Sequence, residues 1–422
     1  MSPANLQQQP AAPDDPTENQ PLLELRDGLS DVVATDAALE KVVEAFRAGC
    51  GPVAVDAERA SGYRYSHRAY LVQLRREDAG SALVDPIPFG DLSSLGDAIV
   101  DAEWVIHAAN QDLACLAEVG MVPRRIFDTE LAGRLLGYPK VGLGSLVSEV
   151  LGYRMRKEHS AADWSTRPLP SPWLVYAALD VEMLIELRDA IEAELRRDGK
   201  WEWAQQEFAA VLAAPPREPK PDPWRRTSGM HRVRNRRSLA VVRALWEARD
   251  QLAADADISP GRVLTDAAIV EAASAMPPDR DSLQRLTAFK GRGAHRHMRT
   301  WWEAIEHARR LPESELPKQG PRYDGPPPAR AWADRDPDAA ARLSAARSAV
   351  GEIAEQHRLP TENLLAPDTI RRLAWEPPVE ADVEVVSAFL RAHGAREWQI
   401  GLTAAVLTDA IAEEAPRVEK LD

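Results

Sequence analysis

The sequence predicts an α/β domain at the front of the chain and two small all-α bundles behind it, and three observations carry that prediction. Strand-like segments cluster early and then alternate with helix-like ones, which is the pattern of a mixed sheet flanked by helices. The rear half contains no convincing strand. Two Pro-rich stretches cut the chain of 422 residues into three pieces, in keeping with about 100 to 200 residues per domain.

Taken in order, residues 1–20 are polar and proline-bearing, cannot bury enough surface to offset the entropy of ordering, and read as a disordered tail. The front domain spans 21–212. It opens with a helix over Asp36 to Ala48, followed by GPVAVDAERA, AYLVQLRRE and SALVDP as three strands at hairpin-like spacing. An amphipathic helix (Leu92 to Val100), a strand in WVIHA, a helix from near Asn110, a strand in RRIFD and then helices alone complete it. Linkers are expected at 213–228 and 313–330, where proline is dense and apolar periodicity is poor. The bundles then occupy 229–312 and 331–422. A shift of 101 positions aligns Ile258 with Leu359, Leu264 with Leu365, Ile269 with Ile370 and Ala273 with Ala374. Each copy reads as helix, Pro-bearing turn, helix, so the two bundles are related.

Composition excludes several classes. The two cysteines, Cys50 and Cys115, are far apart and form no Cys-x-x-Cys pair, so neither a disulfide framework nor a zinc site is expected. The N-terminus lacks the basic and apolar regions of a signal peptide, and no segment approaches the ~20 apolar residues needed to span a bilayer. A reducing cytoplasmic location, with no membrane association, is expected. The formal net charge of -14 is unevenly spread: Trp224 to Arg243 and Lys290 to Arg299 are strongly basic, which suits a surface that tracks phosphates. Arg234, Arg236, Lys290 and Arg292 are the candidate contacts there.

Chemistry concentrates in the front domain. Asp56 and Glu58 stand two apart on a strand and project from one face, at the rim of an apolar run where unpaired like charges are costly. Asp112 lies in the first turn of the helix after VIHAAN. Tyr176 and Asp180 are four apart on a late helix, so phenol and carboxylate share a face amid Leu174, Val175, Ala177 and Leu179. Four carboxylates and a tyrosine are what a phosphodiesterase using two hard divalent cations requires. Mg²⁺ or Mn²⁺ prefers oxygen ligands, and two ions roughly 3.5 to 4 Å apart stabilise both the attacking and the leaving oxygen.

These residues resemble the three exonuclease motifs of the DEDD superfamily in its tyrosine-bearing branch: Asp56-Ala-Glu58, then Asp112, then Tyr176-x-x-x-Asp180. The segments FDTELAGRLLGYP, VGLGSLVSEVLG and DWSTRPLPSPWLVYAALDVEMLIEL are similar to ribonuclease D across nearly the whole front domain. The rear pieces resemble the helicase-and-ribonuclease-D C-terminal (HRDC) domain, the second more loosely than the first. The resemblance implies a ribonuclease H-like fold with a five-stranded mixed sheet. It implies two metals held by Asp56, Glu58, Asp112 and Asp180, with Tyr176 orienting the attacking water. The implied activity is 3′→5′ exoribonuclease, releasing nucleoside 5′-monophosphates from RNA with a free 3′ end, transfer RNA precursors above all. Tandem HRDC domains imply a ring or funnel gripping the RNA, and no obligate protein partner is expected.

Other residues are read more plainly. His107 and Arg167 are candidate substrate contacts, with structural roles as the competing reading. Asp128 and Glu130 fit the start of a helix, and Trp301 and Trp302 fit a bundle core. A DNA exonuclease of the same superfamily and a catalytically silent RNA-binding scaffold are the alternative functions.

Overall fold

A computed structural model describes residues 19–156, 159, 161–215, 221–318 and 325–413, the side chains of Arg292 and Glu413 excepted. Most of the expected tail, residues 1–18, lies outside the described residues. Gln20 already belongs to the front domain, because its amide donates to the Ser148 carbonyl at 3.0 Å and accepts from the Ser148 hydroxyl at 2.6 Å.

The front domain contains β1 (Val32–Val33), α1 (Asp36–Ala48), β2 (Cys50–Arg59), β3 (Ala69–Glu77), β4 (Gly80–Val84), α2 (Ser93–Ala98), β5 (Glu103–Ile106), α3 (Leu113–Glu118) and β6 (Arg125–Asp128). Helices α4 (Thr129–Leu136), α5 (Leu143–Leu146), α6 (Ser171–Glu182), α7 (Leu184–Arg197) and α8 (Trp201–Ala213) follow. The strands form one mixed sheet in the order β1-β4-β3-β2-β5-β6. It has six strands rather than five, because the two-residue β1 pairs in parallel with β4. The β3–β4 connection is the tight hairpin the spacing suggested, with Asp78 (φ 65°) and Gly80 (φ 74°) taking the left-handed conformations such a turn demands. The β2–β3 connection is a longer loop over residues 60–68.

Alternation along β2 sends Val53 and Val55 into the main core with Phe46, Val72, Leu74 and Trp104. Ala54 faces the other way, against Val105, Val181 and Leu184. Helix α6 therefore covers the face from which Asp56 and Glu58 project. The late helical run is not continuous: it breaks at Met183, where Arg26 donates to the Glu182 carbonyl at 2.5 Å and to its buried carboxylate at 2.6 Å.

The first bundle comprises α9 (Arg236–Ala256), α10 (Pro260–Val263), α11 (Asp266–Ala275), α12 (Arg280–Arg285), α13 (Arg292–Arg296) and α14 (Met298–Arg310). The second comprises α15 (Trp332–Arg335), α16 (Pro337–Gln356), α17 (Thr361–Leu364), α18 (Pro367–Trp375), α19 (Val383–Ala392) and α20 (Glu397–Glu413). The repeat is visible in their starts: α9, α10 and α11 begin at 236, 260 and 266, and α16, α17 and α18 begin 101 positions later. No strand occurs in either bundle among the described residues. Trp301 is fully buried in the first bundle and Trp302 packs against that core.

Each bundle rests on the front domain through its own contact. The first meets the 60–68 loop, where the Ser259 amide donates to the Tyr63 carbonyl at 2.9 Å. The second meets α8: Trp398 stacks on Trp203 at 4.8 Å, and buried Glu207 accepts from Arg396 and from the Trp398 indole. Burial of Trp224 and Leu316 in the first bundle's core draws parts of both expected linkers into that bundle. No helix among the described residues is long and apolar enough to cross a membrane.

Candidate active site

Strand β2 pairs in parallel with β5 only at Val53–Trp104 and Ala54–Val105, whereas its antiparallel pairing with β3 continues to Arg59. Its last turns of pleat are thus open on one side, and Asp56 and Glu58 project there toward α6. Asp180 comes down from α6 to meet them. One carboxylate oxygen from each of Asp56, Glu58 and Asp180 lies within 4.8 Å of the others. Opposite Asp56 in register stands Gln73, fully buried, whose amide donates to Asp56 Oδ2 at 3.0 Å.

Asp112 reaches the same region from another element and is 5% exposed. It stands where a short 3₁₀ turn (Ala109–Gln111) gives way to α3, and its Oδ1 lies 3.4 Å from an Arg59 guanidinium nitrogen. Asp128 sets the path of this turn. It caps α4 by accepting from the amides of Glu130 and Leu131, and also accepts from the amides of Ala108 and Ala109 at 3.0 and 2.9 Å. Ala108 can thereby hold its left-handed conformation (φ 58°). The helix-start role expected of Asp128 is present; its second role, bracing the loop that leads to Asp112, is not visible in local sequence.

The electrostatics of the cluster follow from burial and crowding. Burial pushes Asp56 up to about 6, against the help of a backbone hydrogen bond and Arg59. Burial and the charges of Asp56, Asp180 and Asp112 push Glu58 up to about 10. Asp112 is raised to about 8 by burial and Asp56, with Arg59 pulling the other way. Asp180 is raised well above the carboxylate range by burial and by Asp56. Burial together with the charges of Asp180, Glu58 and Asp56 holds the Tyr176 proton more tightly than usual. Four carboxyls that cannot all ionise without a counter-charge form an oxygen-donor set suited to hard divalent cations.

Tyr176 and Asp180 line one wall of a cleft of about 850 Å³. Leu143, Met155, Arg156, Ala161 and Trp173 are among its other lining residues. None of these residues belongs to one of the three motifs in the sequence, although Trp173, three before Tyr176 on α6, has the helical spacing that puts it on the same face. Trp164 is fully buried, its ring against those of Trp173 and Tyr176.

The remaining candidates are differently disposed. His107 Nδ1 lies 2.9 Å from the Thr129 hydroxyl, and partial burial lowers its pKa to about 4, which favours the neutral imidazole. Arg167 grips Asp85 with both nitrogens at 2.6 and 2.8 Å and donates to the carbonyls of Trp164, Thr166 and Tyr70. Its guanidinium braces the loop before α6, the structural role weighed against a substrate contact in the sequence. Arg236 donates to the carbonyls of Glu313, Leu316 and Pro317, closing the chain that follows α14 onto α9. Arg234 and Lys290 are exposed on the first bundle. The side chain of Arg292 lies outside the described residues.

Comparison with known proteins accords with this geometry. The family described as 3′-5′ exonuclease matches residues 31–196, the HRDC domain matches 238–305, and the 3′ to 5′ exonuclease C-terminal domain matches 325–411. The chain is 31% identical over 368 residues to ribonuclease D of Gluconacetobacter diazotrophicus, covering 85% of this chain and 89% of that one. It is 33% identical over 297 residues to ribonuclease D of Acidiphilium cryptum, covering 67% and 75%. Among solved structures, a protein from Bifidobacterium adolescentis is similar with a TM-score of 0.87 at 39% identity, covering 93% of this chain and 100% of that one. Escherichia coli RNase D, described as an exoribonuclease involved in structured RNA processing, is similar with a TM-score of 0.67 at 26% identity, covering 91% and 98%.

Proposed function

Because the chain belongs to the ribonuclease D family and is a 3′→5′ exoribonuclease, we propose that Asp56, Glu58, Asp112, Tyr176 and Asp180 are its catalytic residues. The observation that carries the reading is the convergence of Asp56, Glu58 and Asp180 within 4.8 Å, with Tyr176 on the wall of the adjoining cleft. The donor set fits two Mg²⁺ or Mn²⁺ ions held by Asp56, Glu58, Asp112 and Asp180: it is all oxygen, largely buried, and short of compensating charge. Such ions, when bound, acidify the attacking water and neutralise charge on the leaving oxygen.

The chain's own residues do the positioning. Gln73 fixes the orientation of Asp56, and Asp128 fixes the turn that presents Asp112. Tyr176 keeps its proton, so it orients the attacking water as a hydrogen-bonding partner and does not remove the proton. Attack at the last phosphodiester then breaks the bond to the preceding 3′ oxygen and releases a nucleoside 5′-monophosphate. The cleft admits the 3′ end, and the exposed basic residues of the first bundle, Arg234 and Lys290 among them, meet phosphates further along the strand. We assign the protein to the cytoplasm and to the trimming of transfer RNA and other stable RNA precursors, with the strand held between front domain and bundles.

The test digests a 3′-extended transfer RNA precursor with Mg²⁺, Mn²⁺ or chelator and identifies the products. Stepwise release of 5′-monophosphates that requires metal and is abolished by Asp56→Asn, with RNA binding retained, is the expected result. Endonucleolytic fragments, or full turnover by the Asp56→Asn chain, would overturn the assignment.

A further inference from the structure

We infer that Tyr63 and Arg64 are positioning residues for the reaction, linking the placement of the first helical bundle to the wall of the catalytic cleft. Strand β2 leaves its carboxylate pair at Arg59 and runs directly into the 60–68 loop. One side of that loop is seized by the bundle. The Ser259 amide donates to the Tyr63 carbonyl at 2.9 Å, and the Ser66 amide donates to the Asp257 carboxylate at 2.9 Å. The Arg262 guanidinium lies over the Tyr63 ring at 4.1 Å while its Nε donates to the Gly62 carbonyl at 3.0 Å. The Tyr65 hydroxyl donates to Asp250 at 3.1 Å.

The other side of the loop holds the segment 161–166. Arg64 Nε donates to the Ser165 hydroxyl at 2.8 Å, and the Tyr63 hydroxyl reaches the Ala161 carbonyl at 3.5 Å. Ala161 and Ala162 line the cleft. Trp164, in the middle of the segment, packs its ring against Trp173 and Tyr176 at 5.6 and 6.4 Å. A continuous line of packed and hydrogen-bonded groups therefore runs from Asp257 and Arg262, through Tyr63 and Arg64, to Tyr176 on the wall of the cleft. Such a line transmits placement because close-packed interiors shift as units.

Two simpler roles make different predictions. If these contacts only glue the bundle in place, breaking them weakens the grip on long RNA and leaves the cleft as it was. If Arg262 serves only as a phosphate contact, its loss raises KM and nothing else. Positioning instead requires a change at the cleft itself, even for RNA too short to need the bundle.

The experiment uses the full chain with Mn²⁺ and compares Arg262→Ala, Arg64→Ala and Arg64→Lys. Hydrogen exchange is followed in peptides covering 161–166, where the amides of Ala162, Trp164 and Thr166 are hydrogen-bonded. Turnover is measured on a short and a long adenylate oligomer. Both alanine variants are expected to speed exchange in this segment and to lower kcat by about tenfold on both oligomers, since small misplacements at a reacting centre are costly. Arg64→Lys is expected to recover part of the loss. Unchanged exchange, or a defect confined to KM on the long oligomer, would overturn the inference. It rests on the cleft being the catalytic one, which Asp56→Asn tests separately: retained turnover there sinks the site, whereas the exchange result alone decides the linkage.

Discussion

The Arg59 guanidinium stands 3.4 Å from Asp112 Oδ1, and Asp112 is nearly buried while Arg59 is about 29% exposed at the rim. Arg59 is thus a built-in cation beside the one carboxylate that lies outside the tight Asp56, Glu58 and Asp180 group. A metal ion drawing on Asp112 would compete with this arginine for the carboxylate's charge. Arg59→Gln is therefore expected to lower the stability of the chelated protein by no more than about 1 kcal/mol, the scale of a partly exposed ion pair. Its Mn²⁺ affinity should rise, because a competitor is gone. Thermal melts with chelator and with Mn²⁺, together with calorimetric titration, check both; equal affinity in the two proteins would show that Arg59 does not compete.

Removal of metal should leave a protein whose stability falls with pH. Burial raises Asp56 above its ordinary value near 4, and burial together with the charge of Asp56 raises Asp112. The folded chain then binds more protons than the unfolded one. The stabilising effect of those protons is fully present below about pH 4 and is lost as pH rises through about 6 for Asp56 and about 8 for Asp112. The Tm of chelated protein should accordingly drop between roughly pH 5 and 9, and Mn²⁺ should reduce the drop. Metal binding should release protons, which calorimetry in buffers of different ionisation enthalpy detects. A flat Tm profile in chelator would contradict this account.

Gln73 is a polar residue in the middle of an apolar strand, and its position decides its effect. It is fully buried and donates to Asp56 Oδ2. Gln73→Leu keeps the volume and removes the donor, so Asp56 loses its anchor within the carboxylate cluster. Loss of a group that orients a metal ligand typically costs about 10 to 100-fold in metal affinity or activity. That range is expected in Mn²⁺ affinity and in kcat, with the fold intact by circular dichroism.

Local pattern made the α1 boundaries, five of the strands and the 101-position repeat legible, because period and turn chemistry are written along the chain. The convergence of Asp56, Glu58 and Asp180 was legible as well, since each had the right atom type on an element whose face could be read from the spacing. Pairing partners were not. Arg236 looked like a phosphate contact in a basic run, yet the chain returning after α14 offers three carbonyls that take its nitrogens. Arg167 found buried Asp85 across 82 positions. At the break at Met183, the Glu182 carbonyl takes a nitrogen of Arg26, 156 positions earlier. Each is a tertiary choice that no window of neighbouring residues contains.

Docking of the second bundle should depend on the absence of a side chain at Gly137. This glycine ends α4 in the left-handed conformation (φ 83°), and a Cβ built there would lie 2.2 Å from the Arg358 carbonyl oxygen. The neighbouring contacts cannot move independently: buried Lys200 donates to the carbonyls of both Leu135 and His357 at 2.6 Å, and Arg358 pairs with Asp198 at 2.9 Å. Gly137→Ala thus combines backbone strain with a clash against main chain. Gly394 isolates the first effect, for it has nearly the same φ (84°) and open space where a Cβ would sit. Strain alone costs about 1 kcal/mol, and overpacking adds about 1 to 3 kcal/mol. Gly137→Ala should therefore lower Tm well beyond Gly394→Ala and expose the second bundle to limited proteolysis. Equal losses in the two variants would mean that the bundle does not bear tightly on α4.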